Sequence, residues 1–216
     1  MTDEHDRPTP YREPQQARSA ATLARVLQAA EDVVGSVGLD EMTISGVAER
    51  AGVSVGTIYR RFEDREQLVN ALTERMLDRR EQFVAERLSQ AEPSLSGVMD
   101  AYAHALLESF ADSSGLFPEL LRVRGTKSLD RGARTITAVH RLLLDAAAPH
   151  MDQIRRSDPE SALDTVARAI LGACFHNSVR PDPAKGEVAQ RRYADELGDM
   201  AMAYLLTPGR RATSEA

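Results

Sequence analysis

Residues 43–68 read TISGVAERAGVSVGTIYRRFEDREQL, and this stretch decides the fold. It predicts two short helices separated by Gly52, Val53 and Ser54. Thr43 and Ser54 each precede a helix as an N-cap, whose side-chain oxygen accepts a hydrogen bond from a backbone N–H. Gly52 is placed to end the first helix in the left-handed conformation. These lengths, caps and the glycine in the link predict a helix-turn-helix.

The second short helix has two chemically different sides. Val55, Ile58 and Phe62 lie on one side, because offsets of three and four residues share a face, and they are expected to pack against the first helix. The small residues of its first turn let a backbone approach DNA closely, and a helix N-terminus attracts phosphate. Only Arg60 and Arg61 on this helix can make the bidentate hydrogen bonds that recognise guanine, and the sequence leaves open which one does.

Helices are also predicted on both sides of this stretch. Apolar residues from Leu23 to Val37 recur at helical spacing and Gly38 follows as a stop, which predicts a first helix from about residue 17. Downstream, Asp64 and Gln67 resemble a capping-box pair that opens a long helix. A three-helix DNA-binding domain over residues 17–65 is therefore expected. Residues 1–16, rich in proline and poor in apolar side chains, predict a disordered tail.

The remainder of the chain shows the same helical spacing. A ligand-binding and dimerisation body is predicted over residues 66–208, followed by a frayed tail over 209–216. Asp158 and Pro159 are an N-cap and first-turn pair, and Pro149 and Pro181 end helices. With no strand alternation of useful length, the fold class is predicted to be all-α. Beyond the long helix, the predicted helices cover about residues 94–110, 128–148, 159–180 and 186–206.

Composition and charge exclude several classes of protein. No run approaches the roughly 18 apolar residues that a membrane span requires, and the N-terminus lacks an apolar signal region, so a cytoplasmic protein without membrane contact is expected. The net charge of −6 does not exclude DNA binding, because the distribution of charge over the surface decides it. A single cysteine excludes an internal disulfide.

Nothing in the sequence predicts catalysis, a metal site or a cofactor. Cys174 and His176 lie two positions apart on a predicted helix and point to different faces, so Cys174 is expected in the core. The other histidines lack metal-ligand spacing, and no phosphate loop, nucleophile elbow or paired catalytic carboxylates stand out. The chain is predicted not to be an enzyme.

The stretch resembles the TetR family of transcriptional repressors, over about residues 20–70. The resemblance implies an Ω-shaped homodimer that binds double-stranded DNA, represses nearby genes and is released by a small-molecule inducer. Arg61 stands where the family often has His, Tyr or Asn, and Arg65 replaces the usual Lys; both keep or add positive charge. The matching residues are Thr43, Ala51-Gly52-Val53-Ser54, Gly56-Thr57-Ile58-Tyr59, Phe62 and Arg65.

The resemblance also assigns roles to single residues. It places phosphate contacts at Thr43, Ser54, Tyr59 and Arg65. It places base or groove contacts at Ser45, Val55, Gly56, Thr57 and Arg60, with Arg61 as the second candidate to recognise a base. Phosphate contacts position a protein on DNA and base contacts specify the sequence.

An inducer cavity is expected in the body. The segment 112–127, which contains two glycines and a proline, is predicted to be its entrance. A plain core role for the surrounding aromatic rings is the alternative interpretation. The candidate ligand-binding rings are Phe83, Tyr102, Phe110, Phe117 and Phe175.

Two helices of the body are predicted to form a four-helix dimer seam. A dimer would place two DNA-binding domains about 34–36 Å apart, so the operator should be an imperfect palindrome. The alternative function is a helical adaptor that binds protein without sequence-specific DNA binding. The predicted seam has a small-residue face of Ala162, Ala169, Gly172, Ala173 and His176 beside a stripe of Tyr193, Leu197, Met200, Ala201 and Tyr204.

Overall fold

The computed structural model describes residues 15–112, 126–179 and 186–209. Within these ranges the chain forms eight α-helices and one 3-10 helix and no β-strand, which confirms the predicted all-α fold class. The α-helices are α1 (Gln15–Val37), α2 (Ile44–Ala51), α3 (Val55–Tyr59), α4 (Arg65–Ser89), α5 (Leu95–Asp112), α6 (Thr126–Ala147), α7 (Pro159–Val179) and α8 (Glu187–Leu206). The 3-10 helix is Ala148–Gln153.

The chain divides into two compact units, Met1–Leu68 and Val69–Ala216, and the division falls inside α4. We call the described part of the first unit the head and that of the second unit the body.

The core of the head is built by α1, α2 and α3. Helix α1 ends at Val37 because Gly38 adopts a left-handed conformation with φ 86°, and its N–H donates to the Val34 carbonyl at 2.9 Å. Met42 and Val47, which flank the start of α2, are both buried, as a hydrophobic contact across a helix start requires. The buried side chains of the head include Val26, Ala30, Val34, Met42, Val47, Ile58 and Phe62.

Helix α5 is central to the body, where it packs against α6, α7 and α8. Its N-cap is Ser94, whose Oγ accepts from the Gly97 N–H at 3.0 Å. Helix α7 begins as predicted, with Asp158 Oδ1 accepting from the Ser161 N–H at 3.0 Å. The largest fully buried side chains of the body include Tyr102, Leu106, Leu143, Leu163, Ile170 and Leu205.

Several predictions fall on parts of the chain outside the described residues. These are the tail before residue 15, nearly all of the expected entrance 112–127, Phe117, and the end of the chain after residue 209. In the described part, no helix is both long and apolar enough to cross a membrane.

Candidate nucleic-acid interface

The turn between α2 and α3 is formed by its caps. Thr43 has extended backbone angles, and its Oγ1 accepts from the Gly46 N–H at 3.0 Å. Gly52 has φ 65° and donates its N–H to the carbonyls of Ala48 and Glu49. Both features match the sequence prediction, because a left-handed glycine ends one helix and lets the chain turn into the next.

A chain of hydrogen bonds lies along the first turn of α3. Ser54 Oγ accepts from the Thr57 N–H at 3.2 Å and shares a hydrogen bond with Thr57 Oγ1 at 2.9 Å. Arg60 Nη2 in turn donates to Thr57 Oγ1 at 3.0 Å. The N-cap Ser54 and the C-cap Arg60 are therefore linked through the hydroxyl of Thr57, in the first turn of the helix.

The buried side of α3 is narrower than the sequence predicted. Ile58 is 0% exposed and Phe62 7%, as expected for residues that pack inward. Val55 is 37% exposed, so its predicted burial is wrong. Helical spacing fixes the direction of a side chain, but not whether a neighbour covers the first residue of a five-residue helix. Exposure of Val55 is, however, what its assigned groove contact requires.

The ten predicted DNA-contacting residues all lie in the head, and nine of them are exposed. Thr57 is half-buried. Gly56 is informative, because a Cβ added there would meet only Ser54 Oγ at 4.0 Å, an ordinary contact distance. Packing within the chain therefore does not require glycine at residue 56. The exposed residues are Thr43, Ser45, Ser54, Val55, Gly56, Tyr59, Arg60, Arg61 and Arg65.

Three of the four arginines between residues 50 and 65 are bound to other parts of the head. Arg50 contacts Asp32 through Nε at 3.1 Å and Nη2 at 3.0 Å. Hydrogen bonds from Gln28 and Arg50 lower the pKa of Asp32 below its ordinary value. Arg61 Nη2 donates to the carbonyl of Ser19 on α1 at 2.6 Å, and also to its Oγ.

Arg65 has a structural partner that the sequence did not reveal. Its Nε donates to the Met42 carbonyl at 3.0 Å, and its Nη2 donates to the Leu39 carbonyl. The side chain thus ties the start of α4 to the loop that leads into Thr43. The phosphate contact assigned to Arg65 by resemblance stays a prediction.

The predicted capping pair at the start of α4 is present with one change. Asp64 Oδ1 accepts from the Gln67 N–H at 2.8 Å. Gln67 Oε1 accepts the return bond from the N–H of Glu63, at 3.1 Å, which lies one residue before the cap.

The predicted ligand-binding rings that the structure describes differ in burial. Tyr102 and Phe110 are buried in the body, Phe83 is half-buried, and Phe175 is 40% exposed. Two described cavities have volumes of about 710 Å³ and 390 Å³, and none of these rings lines either one. The larger lies between α4 and α6 and the smaller between α4 and α5.

Two buried or nearly buried arginines of the body were not predicted. Arg80 stacks on the ring of Phe110 at 4.0 Å from its centroid, and burial lowers its pKa to about 10. Its position gave a signal, since it lies four residues after buried Met76 and four before buried Val84. An arginine at a position where helical spacing predicts an apolar core residue therefore indicates a buried charge.

Arg131 on α6 is the second such arginine. It binds Glu74 at 2.6 Å and Glu81 at 2.7 Å, and also contacts Asp78. Burial alone would lower the pKa of Arg131, but hydrogen bonds with these carboxylates raise it above its ordinary value. The cluster holds α6 against α4.

Cys174 is a core residue, as the sequence predicted. It is 0% exposed, and burial raises the pKa of its thiol to about 12. His176, two residues later, is exposed.

The predicted dimer seam needs a correction. Ala162, Leu197 and Ala201 are buried inside the chain, because α5 packs against both α7 and α8. Ala173 and Tyr204 are half-buried, and the remaining five residues, which are available to a partner, are exposed: Ala169, Gly172, His176, Tyr193 and Met200.

Comparison with known proteins agrees with this geometry. Residues 26–72 match the family model described as bacterial regulatory proteins, tetR family, and this range contains α2 and α3. Over 60 residues the chain is 34% identical to the HTH-type transcriptional regulator YvdT of Bacillus subtilis. That match covers 28% of this chain and 31% of YvdT, so it spans about a third of the relative's length.

Solved structures extend the likeness to the whole fold. A TetR-family transcriptional regulator from Streptomyces coelicolor is 25% identical with a TM-score of 0.56, covering 86% of this chain and 99% of that one. FadR from Bacillus subtilis, solved in complex with stearoyl-CoA, has a TM-score of 0.65 over 84% of this chain and 98% of its own, and its 14% identity shows the fold alone.

The structure thus defines a helical protein with an N-terminal helix-turn-helix domain of capped helices and an exposed second helix. The family model and the solved structures make the class specific. The chain is similar to the TetR family in its N-terminal domain, where residues 26–72 match the family model, and in its fold.

Proposed function

We propose that this protein is a sequence-specific DNA-binding transcriptional regulator that represses genes and is released from its operator by a small molecule. The observation that carries the proposal is the exposed side of α3. There Gly56, Tyr59 and Arg60 are exposed beside the half-buried Thr57, and no packing contact within the chain requires glycine at position 56. A small first turn and a nearby cation are what a helix needs to enter the major groove.

The DNA contacts divide by chemistry. Thr43, Ser54 and Tyr59 carry exposed hydroxyl groups that hydrogen-bond phosphate, and these contacts position the head without selecting a sequence. Val55 and Gly56 lie where an apolar groove contact and a close backbone approach are possible.

The working form is a homodimer assembled through α7 and α8. Phe175, Tyr193 and Met200 are 40%, 38% and 47% exposed in the single chain, so they offer apolar surface that a partner can cover. Gly172 is also exposed, with no other atom near its missing side chain, so a partner helix can approach it. A two-fold dimer would present two heads to successive major grooves of an imperfectly palindromic operator.

The inducer is a small molecule that binds in the body. FadR was solved in complex with stearoyl-CoA, so one protein of this fold binds a ligand. The interior of the body contains aromatic and charged groups as well as aliphatic ones. These are Tyr102, Phe110 and the buried guanidinium of Arg80 beside the Phe110 ring. We keep the five aromatic residues of the sequence prediction as candidates, with Tyr102 and Phe110 first.

A mobility-shift titration with the chain's own upstream region tests the DNA-binding function. Specific retardation is expected, with affinity that falls steeply as salt rises, because phosphate contacts release counterions. Absence of a retarded band at about 50 mM salt and tens of micromolar protein would reject DNA binding. A protein-binding adaptor, whose interface centres on apolar anchors, would show weak salt dependence towards its partner.

Light scattering with two matched variants tests the dimer. Met200→Lys places a charge on the proposed seam and is expected to give a monomer. Ile136→Lys is the control, because Ile136 is a comparably exposed apolar residue, at 52%, on α6. A wild-type monomer at tens of micromolar, or equal effects of the two variants, would contradict this seam.

A further inference from the structure

Arg60 and Arg61 are adjacent and both exposed, yet their guanidinium groups lie in different places. Arg61 Nη2 donates to the carbonyl of Ser19, a residue of α1 that lies 42 positions earlier. Arg60 Nη2 donates to Thr57 Oγ1 at 3.0 Å, within α3. One charge is therefore bound to α1, and the other lies over the exposed helix.

The direction of the Arg60 side chain places its charge at the start of α3. Side chains on a helix point towards its N-terminus, so a long side chain covers the turn before its own Cα. Arg60 is the C-cap of α3, but its guanidinium reaches Thr57, three residues earlier. Helix-turn-helix proteins present the N-terminal residues of the second helix to base edges. The Arg60 charge therefore lies at the end of α3 that would meet the bases.

Thr57 holds this arginine through a hydroxyl that is itself held. Thr57 Oγ1 hydrogen-bonds Ser54 Oγ at 2.9 Å, and Ser54 Oγ also accepts from the Thr57 N–H at 3.2 Å. A hydroxyl has one proton and two acceptor sites, so Thr57 Oγ1 can accept from Arg60 and still share a hydrogen bond with Ser54 Oγ, in which either oxygen can donate. Most of the Arg60 N–H groups remain for a further partner. A side chain oriented before binding loses less entropy when it binds.

We infer that Arg60 recognises a guanine in each operator half-site through bidentate hydrogen bonds to O6 and N7, that Thr57 positions Arg60 for it, and that Arg61 holds α1 and selects no base. This inference rests on the proposed DNA-binding function. It assigns the guanine contact that the sequence left open between two neighbouring arginines.

Selection of binding sites from a random duplex library tests the division between the two arginines. The full-length protein is expected to select a motif with one guanine position that it prefers over other bases by about 5- to 150-fold, the range of a good bidentate pair. Arg60→Ala should lose the preference at that position alone. Arg61→Ala, the matched control, should keep the guanine even if its affinity falls for all sequences.

A second variant guards against a trivial loss of folding. Arg60→Gln carries an amide that pairs with adenine, so its preferred base should change from guanine to adenine at the same position. A change of preference cannot come from a protein that fails to fold.

A modified base tests which atoms of the guanine Arg60 contacts. Replacement of that guanine by 7-deazaguanine removes the N7 acceptor and should weaken wild-type binding by about 2- to 10-fold, half of a bidentate contact on a free-energy scale. Arg60→Ala should bind both duplexes equally, because the contact is already absent. Non-additive effects of Arg60→Ala and of 7-deazaguanine on affinity would identify Arg60 and the guanine N7 as the contacting pair.

Thr57 needs a readout that distinguishes positioning from contact. Thr57→Val removes the hydroxyl and should reduce the guanine preference several-fold in the wild type, but not in Arg60→Ala. Thr57→Ser keeps the hydroxyl and should restore most of the preference. Equal loss of preference in the valine and serine variants would overturn the positioning role.

The outcomes separate this inference from the proposed function. If the wild type selects no motif, sequence-specific binding fails, and the inference fails with it. If the wild type selects a motif and Arg60→Ala keeps its guanine, or Arg61→Ala loses it, the inference alone is overturned.

Discussion

The caps that form the turn of the head and the ion cluster of the body differ in how far their contacts reach along the chain. In the head, the caps of α2 and α3 join residues three positions apart, Thr43 with Gly46 and Ser54 with Thr57. In the body, Arg131 binds carboxylates on α4 that lie 50 to 57 positions earlier. Local contacts form with the backbone around them, whereas distant ones require the loop between them to close.

This difference implies that the residues proposed to recognise DNA and the residues that stabilise the body are placed by different kinds of contact. The exposed side chains on α3 are placed mainly by neighbours in sequence, so they can change without disturbing the packing of the core. The interior of the body depends on contacts among several helices, so a change there is expected to reduce the stability of that unit. Four predictions test this contrast, in order of decreasing expected effect.

Deletion of a core side chain in the body should have the largest effect. Leu143 on α6 is 0% exposed, so Leu143→Ala is expected to lower the free energy of unfolding by about 2–5 kcal/mol through lost burial and a cavity. Hydrogen exchange on the full chain should show the loss in body amides first. Ile136→Ala on the same helix is the control, at 52% exposure, and should cost less than about 1 kcal/mol. Equal loss of protection in the head would show that the two units unfold together.

Loss of the long-range ion cluster should come next. Arg131→Met leaves Glu74, Asp78 and Glu81 crowded on α4, and a cost of about 1–3 kcal/mol is expected, since these carboxylates are partly exposed. Denaturant titration measures it. Arg168→Met removes an exposed arginine paired with Asp164 four residues away, and should cost less than about 0.5 kcal/mol. Similar losses of unfolding free energy in the two variants would mean that the distance along the chain between the partners does not determine the contribution of an ion pair.

The turn of the head should show a smaller, local effect. Gly52→Ala places a side chain at φ 65°, which costs about 1–2 kcal/mol. Gly35→Ala is a control of opposite sign, because Gly35 lies in α1 with open space around it, and alanine should stabilise that helix by about 0.5–1 kcal/mol. Thermal unfolding followed by a probe in the head distinguishes the two signs. Destabilisation by both variants would contradict the assigned role of Gly52.

The same contrast explains how much the sequence could predict. The ends of α2, the left-handed Gly52 and the start of α7 at Pro159 follow from residues within a few positions of one another, and all were predicted. The partners of Arg61, Arg65 and Arg131 were not, because each lies 23 to 57 positions away and helical spacing carries no information about it.

The sequence predicted the burial of the candidate residues only in part. The residues assigned to DNA contacts on α3 and just after it are exposed, apart from the half-buried Thr57. Val55 was assigned both to the buried side and to the groove, and its 37% exposure excludes burial. Among the aromatic candidates, spacing could not separate Tyr102, in the core, from Phe175, which is exposed, because both lie in helical apolar patterns.

The smallest expected effect is the response of the two units to acid. Burial would raise the pKa of Glu81, but hydrogen bonds from Thr135 and Arg131 lower it below its ordinary value of 4.5. A carboxylate with a lowered pKa in the folded state contributes stability above its unfolded pKa and loses that contribution as pH falls through the folded one. Unfolding free energy of the body should therefore decline below about pH 4.5, and Glu81→Gln should reduce that decline.

Asp32 in the head is the comparison for Glu81. Hydrogen bonds from Gln28 and Arg50 lower its pKa as well, but its side chain is 36% exposed and its arginine 61%, so solvent screens the pair. Asp32→Asn should therefore change the acid response of the head less than Glu81→Gln changes that of the body. Hydrogen exchange at pH 3.5 and pH 6 on the wild type and both variants measures the two units in one chain. A larger effect of Asp32→Asn would mean that an exposed pair in the head contributes more than the long-range cluster, and the contrast between the units would fail.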